Sequence, residues 1–302
     1  MNGVICVYKP AGYTSFDVIA IMRRLLNTKK IGHSGTLDPI AEGVLPVFVG
    51  AATKAVDYCP DTDKEYRAAF RIGMTTDTQD ISGHELSKVN ANIPDSVLLS
   101  RLKEAVKKHI GETEQLPPMY SAVKVKGKRL YDLARKGIEV DRTPRKITVH
   151  SLEIEQYTGL EGMMKISCSK GTYVRTLIHD IGQDVGFGAV MTGLQRTKSN
   201  GFTLDDCYTL EKLREVYAKN PAELETFLKP FDMLFDYPKG YLDERQTELY
   251  RNGVVLNADL VKFQKIYDGL YSLYDSDNKI VALAKIGGDH SLKMEQRFHY
   301  VK

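Results

Sequence analysis

A chain of 302 residues with 42% hydrophobic residues has room for one large and one small domain and enough apolar side chains for a conventional core, and its formal charge of +3 is close to balanced. Its longest apolar stretch, around Val44 to Ala52, is broken by Pro46 and Gly50 and falls far short of the about 20 residues a membrane span needs. No basic region precedes an apolar core in the N-terminal MNGVICVYKP, so no secretory signal is expected and the cytoplasm is the expected location; the scattered Cys6, Cys59, Cys168 and Cys207, without a CxxC pair or a nearby histidine at ligand spacing, read as buried reduced thiols rather than metal ligands.

Along the chain, Thr14 and Ser15 are predicted to start a helix running to about Leu26, with Asp17 in its first turn and Val18, Ile21, Met22 and Leu25 on one apolar face. The next stretch, GHSGTLDPIAEGVLP from Gly32 to Pro46, is rich in glycine and proline. Pro39 biases Asp38 toward an extended conformation, and Gly32, Gly35 and Gly43 are expected to let backbone approach a ligand closely. An Asp-Pro pair by itself points to an Asx-turn, but these neighbours point to a carboxylate aimed outward. Lys64 to Gly73 alternates as a half-buried strand, with Tyr66, Ala68, Phe70 and Ile72 on one face and Glu65, Arg67 and Arg71 on the other. Asp77 to Asn92 reads as polar loop, and Asp95 to Ile110 as an amphipathic helix. Asp77 and Asp80 lack the further oxygen ligands that a divalent cation requires.

Between Ser121 and Lys146 stand nine Lys or Arg against three acids, a local +6 that leaves −3 for the rest of the chain. Pro117-Pro118 and Pro144 bracket this region, so Gln115 to Lys146 is expected to form an inserted hairpin-like or helical arm, with Lys124, Lys126, Lys128, Arg129, Arg135, Lys136, Arg142, Arg145 and Lys146 as a phosphate-binding footprint. Tyr120 and Tyr131 within it could stack on a base or anchor the arm. Met163 to Ser169 is a second alternating strand, which Gly171-Thr172 turns into a helix with Val174, Leu177, Ile178 and Ile181 as its buried stripe. A composition shift near Pro238-Lys239-Gly240 marks a boundary, beyond which Gly269 to Tyr274 and Lys279 to Ile286 suggest a small β-rich domain. GxGxxG and GxxxxGK[ST] are absent, which argues against a nucleotide cofactor.

The Gly32–Pro46 string, together with KEY (Lys64 to Tyr66), SKGTYVRTLIHDI (Ser169 to Ile181), GLQRTKSNGF (Gly193 to Phe202) and KPAGYTS (Lys9 to Ser15), resembles the motifs of the TruB family of tRNA pseudouridine synthases. Matches extend from about Gly3 to Phe202, with Tyr8 standing where an acidic residue often precedes the Lys-Pro pair. The resemblance implies an α+β pseudouridine synthase fold with a largely antiparallel central sheet. It implies a catalytic domain over 1–237 carrying a basic thumb at 115–146, and a small PUA-like RNA-binding domain over 238–302. It further implies isomerisation of uridine 55 in the T loop of tRNA by a stand-alone monomer that needs no cofactor, metal, guide RNA or protein partner. Asp38 would be the catalytic carboxylate, Tyr66 the residue stacked on the flipped uracil, Tyr173 and Leu194 pocket walls, and His33 the side chain entering the RNA loop. Arg175 would pair with Asp38 and hold its pKa down. Periodicity alone favours Tyr66 as a core residue, lets Leu194 be an ordinary core leucine, and leaves Arg175 equally readable as a solvated helix residue.

Overall fold

The computed structural model describes residues 1–60, 62–90, 93–125, 127–265 and 268–298, which leaves Lys126 of the basic arm outside the described residues. The buried apolar run Val4 to Val7 forms the middle of β1 (Gly3–Lys9). Helix α1 (Ser15–Leu25) then starts on a reciprocal cap, in which Asp17 N–H donates to the Thr14 hydroxyl (3.0 Å) and Asp17 Oδ2 accepts from Thr14 N–H (2.8 Å). After it come β2 (Ile31–His33), β3 (Ala41–Val49) and β4 (Lys64–Ile72). The segment expected to be loop contains a strand, β6 (Glu85–Lys88), which pairs with β5 (Met74–Thr76) just before that segment. All four β6 residues are exposed, so no apolar alternation marked the strand.

Helix α2 (Asp95–Lys108) and β7 (Gly111–Gln115) lead into the arm, which is both hairpin and helix: β8 (Lys124–Val125), β9 (Lys128–Arg129) and α3 (Leu130–Ala134). The ends assigned to the arm belong elsewhere. Gln115 closes β7 and pairs with Arg145, and Lys146 with Glu114, because the chain re-enters the central sheet as β10 (Arg145–Thr158). Next are β11 (Glu161–Cys168), α4 (Val174–Val185), β12 (Ala189–Ser199), β13 (Phe202–Thr203), β14 (Tyr208–Thr209) and α5 (Leu210–Lys219). A second sheet follows, built from β15 (Lys239–Tyr241), α6 (Glu244–Arg251), β16 (Leu256–Asn257), β17 (Lys262–Phe263), β18 (Leu270–Tyr274), β19 (Ile280–Ile286) and β20 (Ser291–Arg297).

The central sheet has the order β14-β1-β3-β12-β4-β11-β10-β7, with β2 on β3 and β13 on β12; only the β1/β14 and β3/β12 pairings are parallel. It is therefore the mixed α+β, largely antiparallel architecture expected. Its β4–β11 half is covered by α2 and α4, whose Leu98, Leu102, Leu177, Ile178 and Ile181 pack with Phe70, Ile72 and Ile166. Each such side chain contributes roughly 1.5–3 kcal/mol by leaving water. The β1–β3 half is covered on both faces. Ile5, Val7, Leu45 and Val47 meet α1 and α5, whereas Val4, Cys6, Val44 and Phe48 share a cluster with Tyr274, Ile280, Leu283 and Phe298 of the second sheet. Strand alternation makes this sharing possible, because successive residues face opposite sides.

The cysteines are far apart in sequence but not all apart in space: Cys6 Sγ and Cys207 Sγ lie 3.1 Å apart as free thiols, and Cys207 is half-buried. Among the described residues no helix is long and apolar enough to cross a membrane, and no cluster of three or more His, Cys, Asp or Glu side chains has the arrangement of a metal site.

Candidate active site

Asp38 lies in the connection between β2 and β3, and this connection is fixed on every side. Ser15 Oγ accepts from Leu37 N–H (2.9 Å) and donates to Leu37 O (3.2 Å); Gly12 N–H donates to Pro39 O (2.8 Å), and Ala41 N–H to Asp38 O (3.0 Å). Ser34 Oγ donates to Asn200 Oδ1 (2.6 Å). Two fully buried cations complete the attachment. Lys9 Nζ donates to the carbonyls of Ala41 and Pro10, and Arg196 donates from Nε to Val44 O (2.8 Å) and from Nη2 to Gly35 O (3.0 Å). Gly43 serves packing rather than ligand approach: at φ 104° it lies against β12, where a Cβ would come within 2.3 Å of Arg196 O. Gly32 needs no such freedom, since the space beside it is open.

Opposite Asp38 stands Arg175, one position inside α4. Its Nη2 donates to Asp38 Oδ1 (3.2 Å), and its Nε faces Asp38 Oδ2 at 3.1 Å in an ion-pair contact without hydrogen-bond alignment. The same guanidinium donates to Tyr120 O (2.8 Å) and Thr78 O (3.4 Å). Arg175 is thus held by carbonyls from the arm's base and the β5–β6 turn before it meets the carboxylate. Its side chain is 5% exposed, while that of Asp38 is 33% exposed, so the carboxylate is open on one side only. Its pKa lies above the ordinary carboxylate value. Burial, the larger effect, and the nearby Asp80 push it up, while Arg175 and Lys9 pull it back. This reverses the expected depression, because desolvation outweighs the guanidinium.

Tyr66 and Leu194 are close neighbours beside this loop. In the β4/β12 ladder Leu194 pairs with Ala68 and Arg196 with Tyr66, and in the β3/β12 ladder Leu194 pairs with Ala41 and Arg196 with Gly43. Tyr66, Leu37, Ala41 and Leu194 belong to one apolar cluster, so the core reading and the pocket reading of Tyr66 and Leu194 both hold. Burial drives the Tyr66 hydroxyl up to about 12, against the opposing charge of Arg196.

Tyr173 is the residue before α4 rather than part of its first turn. Its backbone N–H donates to Gln115 Oε1 (2.8 Å), its carbonyl accepts from Gln115 Nε2 (3.0 Å), and its ring lies 5.9 Å from the Arg175 guanidinium carbon. His33 is half-buried on β2, not free in a loop; burial, then the charge of Arg196, lowers its pKa. The structure therefore brings Asp38 and Arg175 into contact, sets the Tyr173 ring beside Arg175, seats Tyr66 and Leu194 together at the loop's base, and leaves His33 on the preceding strand.

Residue pattern missed the parts played by Lys9 and Arg196, and it considered Asp80 and Tyr120 without placing them beside Asp38 and Arg175. Asp80 is buried and accepts from Thr78 Oγ1 (2.9 Å) and Ser82 N–H (3.0 Å), while Asp77 accepts from His84 N–H (2.8 Å) and the Tyr120 hydroxyl (3.3 Å), so these loop carboxylates are occupied by the protein's own donors. Arg196 carried a signal that strand alternation could have shown, a charge two residues from Leu194 on the same buried face. Two surface cavities of about 410 Å³ each lie away from this cluster, one beside Arg251 and Asp275 and one beside Cys59, Phe202 and Phe235.

On the arm, Tyr131 lies between Arg129 and Arg135, with the guanidinium carbons 5.8 and 5.4 Å from its ring, and accepts from Arg129 Nη1 (2.8 Å). Lys124, Lys128, Arg129, Arg135 and Lys136 are exposed, whereas Arg142 is half-buried and donates to Pro117 O (3.1 Å).

Residues 23–174, which include Asp38, Tyr66 and Tyr173, match the model of the TruB family pseudouridylate synthase N-terminal domain. The chain belongs to the TruB family. Residues 175–236 match the model of the tRNA pseudouridylate synthase B C-terminal domain, so the second sheet, from Lys239 on, lies beyond both matches. Similar relatives include the tRNA pseudouridine synthase B of Clostridium kluyveri, 39% identical over 99% of this chain and 100% of its own length, and that of Clostridium tetani, 43% identical over 84% and 85%. Among solved structures, one in a Cbf5–Nop10–Gar1 complex superposes with a TM-score of 0.71 at 26% identity, covering 98% of this chain and 85% of the other. This structural likeness extends through both sheets.

Proposed function

We propose that this chain isomerises uridine to pseudouridine at position 55 in the T loop of tRNA, acting alone and with Asp38 as its catalytic carboxylate. The single observation that carries the reading is the Asp38–Arg175 pair, open on one side, in a member of a pseudouridylate synthase family. Relatives named tRNA pseudouridine synthase B support tRNA as the substrate.

The reaction breaks the bond between C1′ and N1, turns the freed uracil, and joins C5 to C1′, with loss of the C5 proton and uptake of a proton at N1. Substrate and product are isomers, so no redox partner or transferred group is required. The target uridine must leave the RNA stack to reach a carboxylate recessed in protein. Addition of Asp38 at C1′ and removal of a sugar proton by Asp38 both require the ionised form, which Arg175 favours against the cost of burial. Tyr66 and Tyr173 offer aromatic faces on either side of the base, worth roughly 1–3 kcal/mol per stacked base. Leu194 walls the pocket, and His33 enters the space vacated in the RNA loop. The basic arm closes on the T stem through phosphate contacts. The second sheet, beyond a boundary near Pro238, takes a PUA-like role on the helical part of the RNA.

The test is incubation of the purified chain with an unmodified tRNA transcript and with one carrying cytidine at position 55, followed by nucleoside analysis and site mapping. Pseudouridine at position 55 of the first and none in the second is the expected result. Modification at another position would reject the site assignment. Activity only after addition of a guide RNA and partner proteins would replace this reading with a guide-dependent one.

A further inference from the structure

Arg196 is the least expected charge in the molecule. It is 0% exposed, and its hydrogen bonds go to two carbonyls, Val44 O and Gly35 O, rather than to a carboxylate. Its third nitrogen, Nη1, is buried without a hydrogen-bond partner among the described residues. Taking a guanidinium out of water costs several kcal/mol unless strong partners compensate. Tying a loop to a sheet does not require a cation, as Ser15 shows by holding Leu37 with a neutral hydroxyl. A buried cation in this place calls for a further reason.

The two carbonyls are the legs of the connection that carries Asp38, with Gly35 three residues before it and Val44 six residues after it. One planar fork therefore spans the loop from beneath, a geometry that the single ammonium of lysine cannot reproduce. Gly35, at φ 72°, is shaped to it: a Cβ there would come within 3.3 Å of Arg196 Nη1 and 3.0 Å of Lys64 Cε. On the other side Arg196 lies directly across the ladder from Tyr66, and its charge opposes the upward push of burial on the Tyr66 hydroxyl. The same guanidinium thus meets both legs of the Asp38 loop and the aromatic residue at the pocket base.

We infer that Arg196 is a positioning residue for the isomerisation, holding the two legs of the Asp38 loop with Nε and Nη2 from its place across the ladder from Tyr66. The inference rests on the proposed uridine isomerisation and adds to it a residue that acts without touching RNA. Misplacement of reacting groups by about 1 Å costs roughly 10²-fold in rate while leaving distant binding contacts intact.

The test measures single-turnover pseudouridine formation and tRNA affinity for wild type, Arg196→Lys, Arg196→Gln, Tyr66→Phe and the Tyr66→Phe/Arg196→Lys double variant. The expected result is a rate loss of about 10²-fold in both Arg196 variants with affinity within about threefold of wild type. The double variant should be little slower than the slower single variant, because the two side chains act as one unit. Near-normal rates in folded Arg196 variants would overturn the inference, as would rate and affinity falling together, or fully additive losses in the double variant. Failure of both Arg196 variants to fold would assign Arg196 to folding rather than positioning. Wild-type turnover in the same assay tests the isomerase reading separately.

Discussion

Arg175 meets Asp38 with two nitrogens, Nη2 at 3.2 Å from Oδ1 and Nε at 3.1 Å from Oδ2, while Nη2 also donates to the carbonyl of Tyr120. One guanidinium therefore joins the Asp38 carboxylate to the base of the basic arm. A displacement of Tyr120 at the base of the arm would therefore reach Asp38 through this side chain.

Removing the guanidinium should move the pH dependence in a defined direction. Burial already holds the Asp38 pKa above the usual carboxylate range, and Arg175 opposes that shift. Without Arg175 the pKa rises further, so the ionised fraction is lost at a higher pH as the solution is acidified. Arg175→Met is expected to move the acid limb of the single-turnover rate to higher pH. A pH–rate profile checks it, and an unmoved limb would reject the electrostatic role.

Lys9 gives a prediction about stability. Burial lowers its pKa to about 8 from the ordinary 10.5. Between those values the unfolded chain holds a proton that the folded chain does not, so this group makes stability rise with pH across that window. Lys9→Met removes the effect. The stability of wild type relative to Lys9→Met, measured by urea unfolding from pH 7.5 to 10.5, should increase by on the order of 3 kcal/mol. A constant difference would contradict the buried, desolvated ammonium.

Gly43→Ala should destabilise the fold and loosen the Asp38 loop. The residue sits at φ 104°, and a Cβ would come within 2.3 Å of the Arg196 carbonyl oxygen. Strain and forced separation of β3 from β12 together cost at least about 2 kcal/mol. Thermal unfolding reads the loss, and an unchanged melting temperature would show that the strands yield more easily than their close approach implies.

The arm should show its role in salt dependence. Replacing Lys128 or Arg129, both exposed, by alanine is expected to weaken tRNA binding and to reduce the slope of log affinity against log salt by about 1 for each phosphate no longer neutralised. Titration at several salt concentrations measures this, and an unaltered slope would remove the residue from the phosphate-binding set.

Sequence periodicity carried the elements that bury one clean face. The strand through Tyr66, Phe70 and Ile72 and the helix through Leu177 and Ile181 are both present at nearly the expected limits. The β5–β6 hairpin escaped because the exposed Glu85–Lys88 strand has no apolar alternation, and the arm's ends were misassigned because Arg145 and Lys146 are charged yet sit in an edge pairing with β7. At the site, the family motifs led to Asp38 and Arg175. What they did not convey was the balance of forces: pairing with Arg175 suggested a depressed Asp38 pKa, whereas the desolvation that raises it depends on how three distant segments close around the carboxylate. Lys9 and Arg196 escaped for a related reason. Lysine and arginine are almost never fully buried, so a composition-based reading leaves them at the surface.

The central claim, that Asp38 carries out uridine isomerisation, is tested most directly by tritium release from an unmodified tRNA transcript containing 5-³H-uridine, with wild type and Asp38→Asn in parallel. Formation of the C5–C1′ bond expels the C5 hydrogen, so wild type should release about one equivalent per tRNA, and Asp38→Asn should be slower by more than about 10³-fold while still binding tRNA. Comparable release by folded Asp38→Asn would remove the carboxylate from the chemistry, and no release by a tRNA-binding wild type would contradict the stand-alone isomerase.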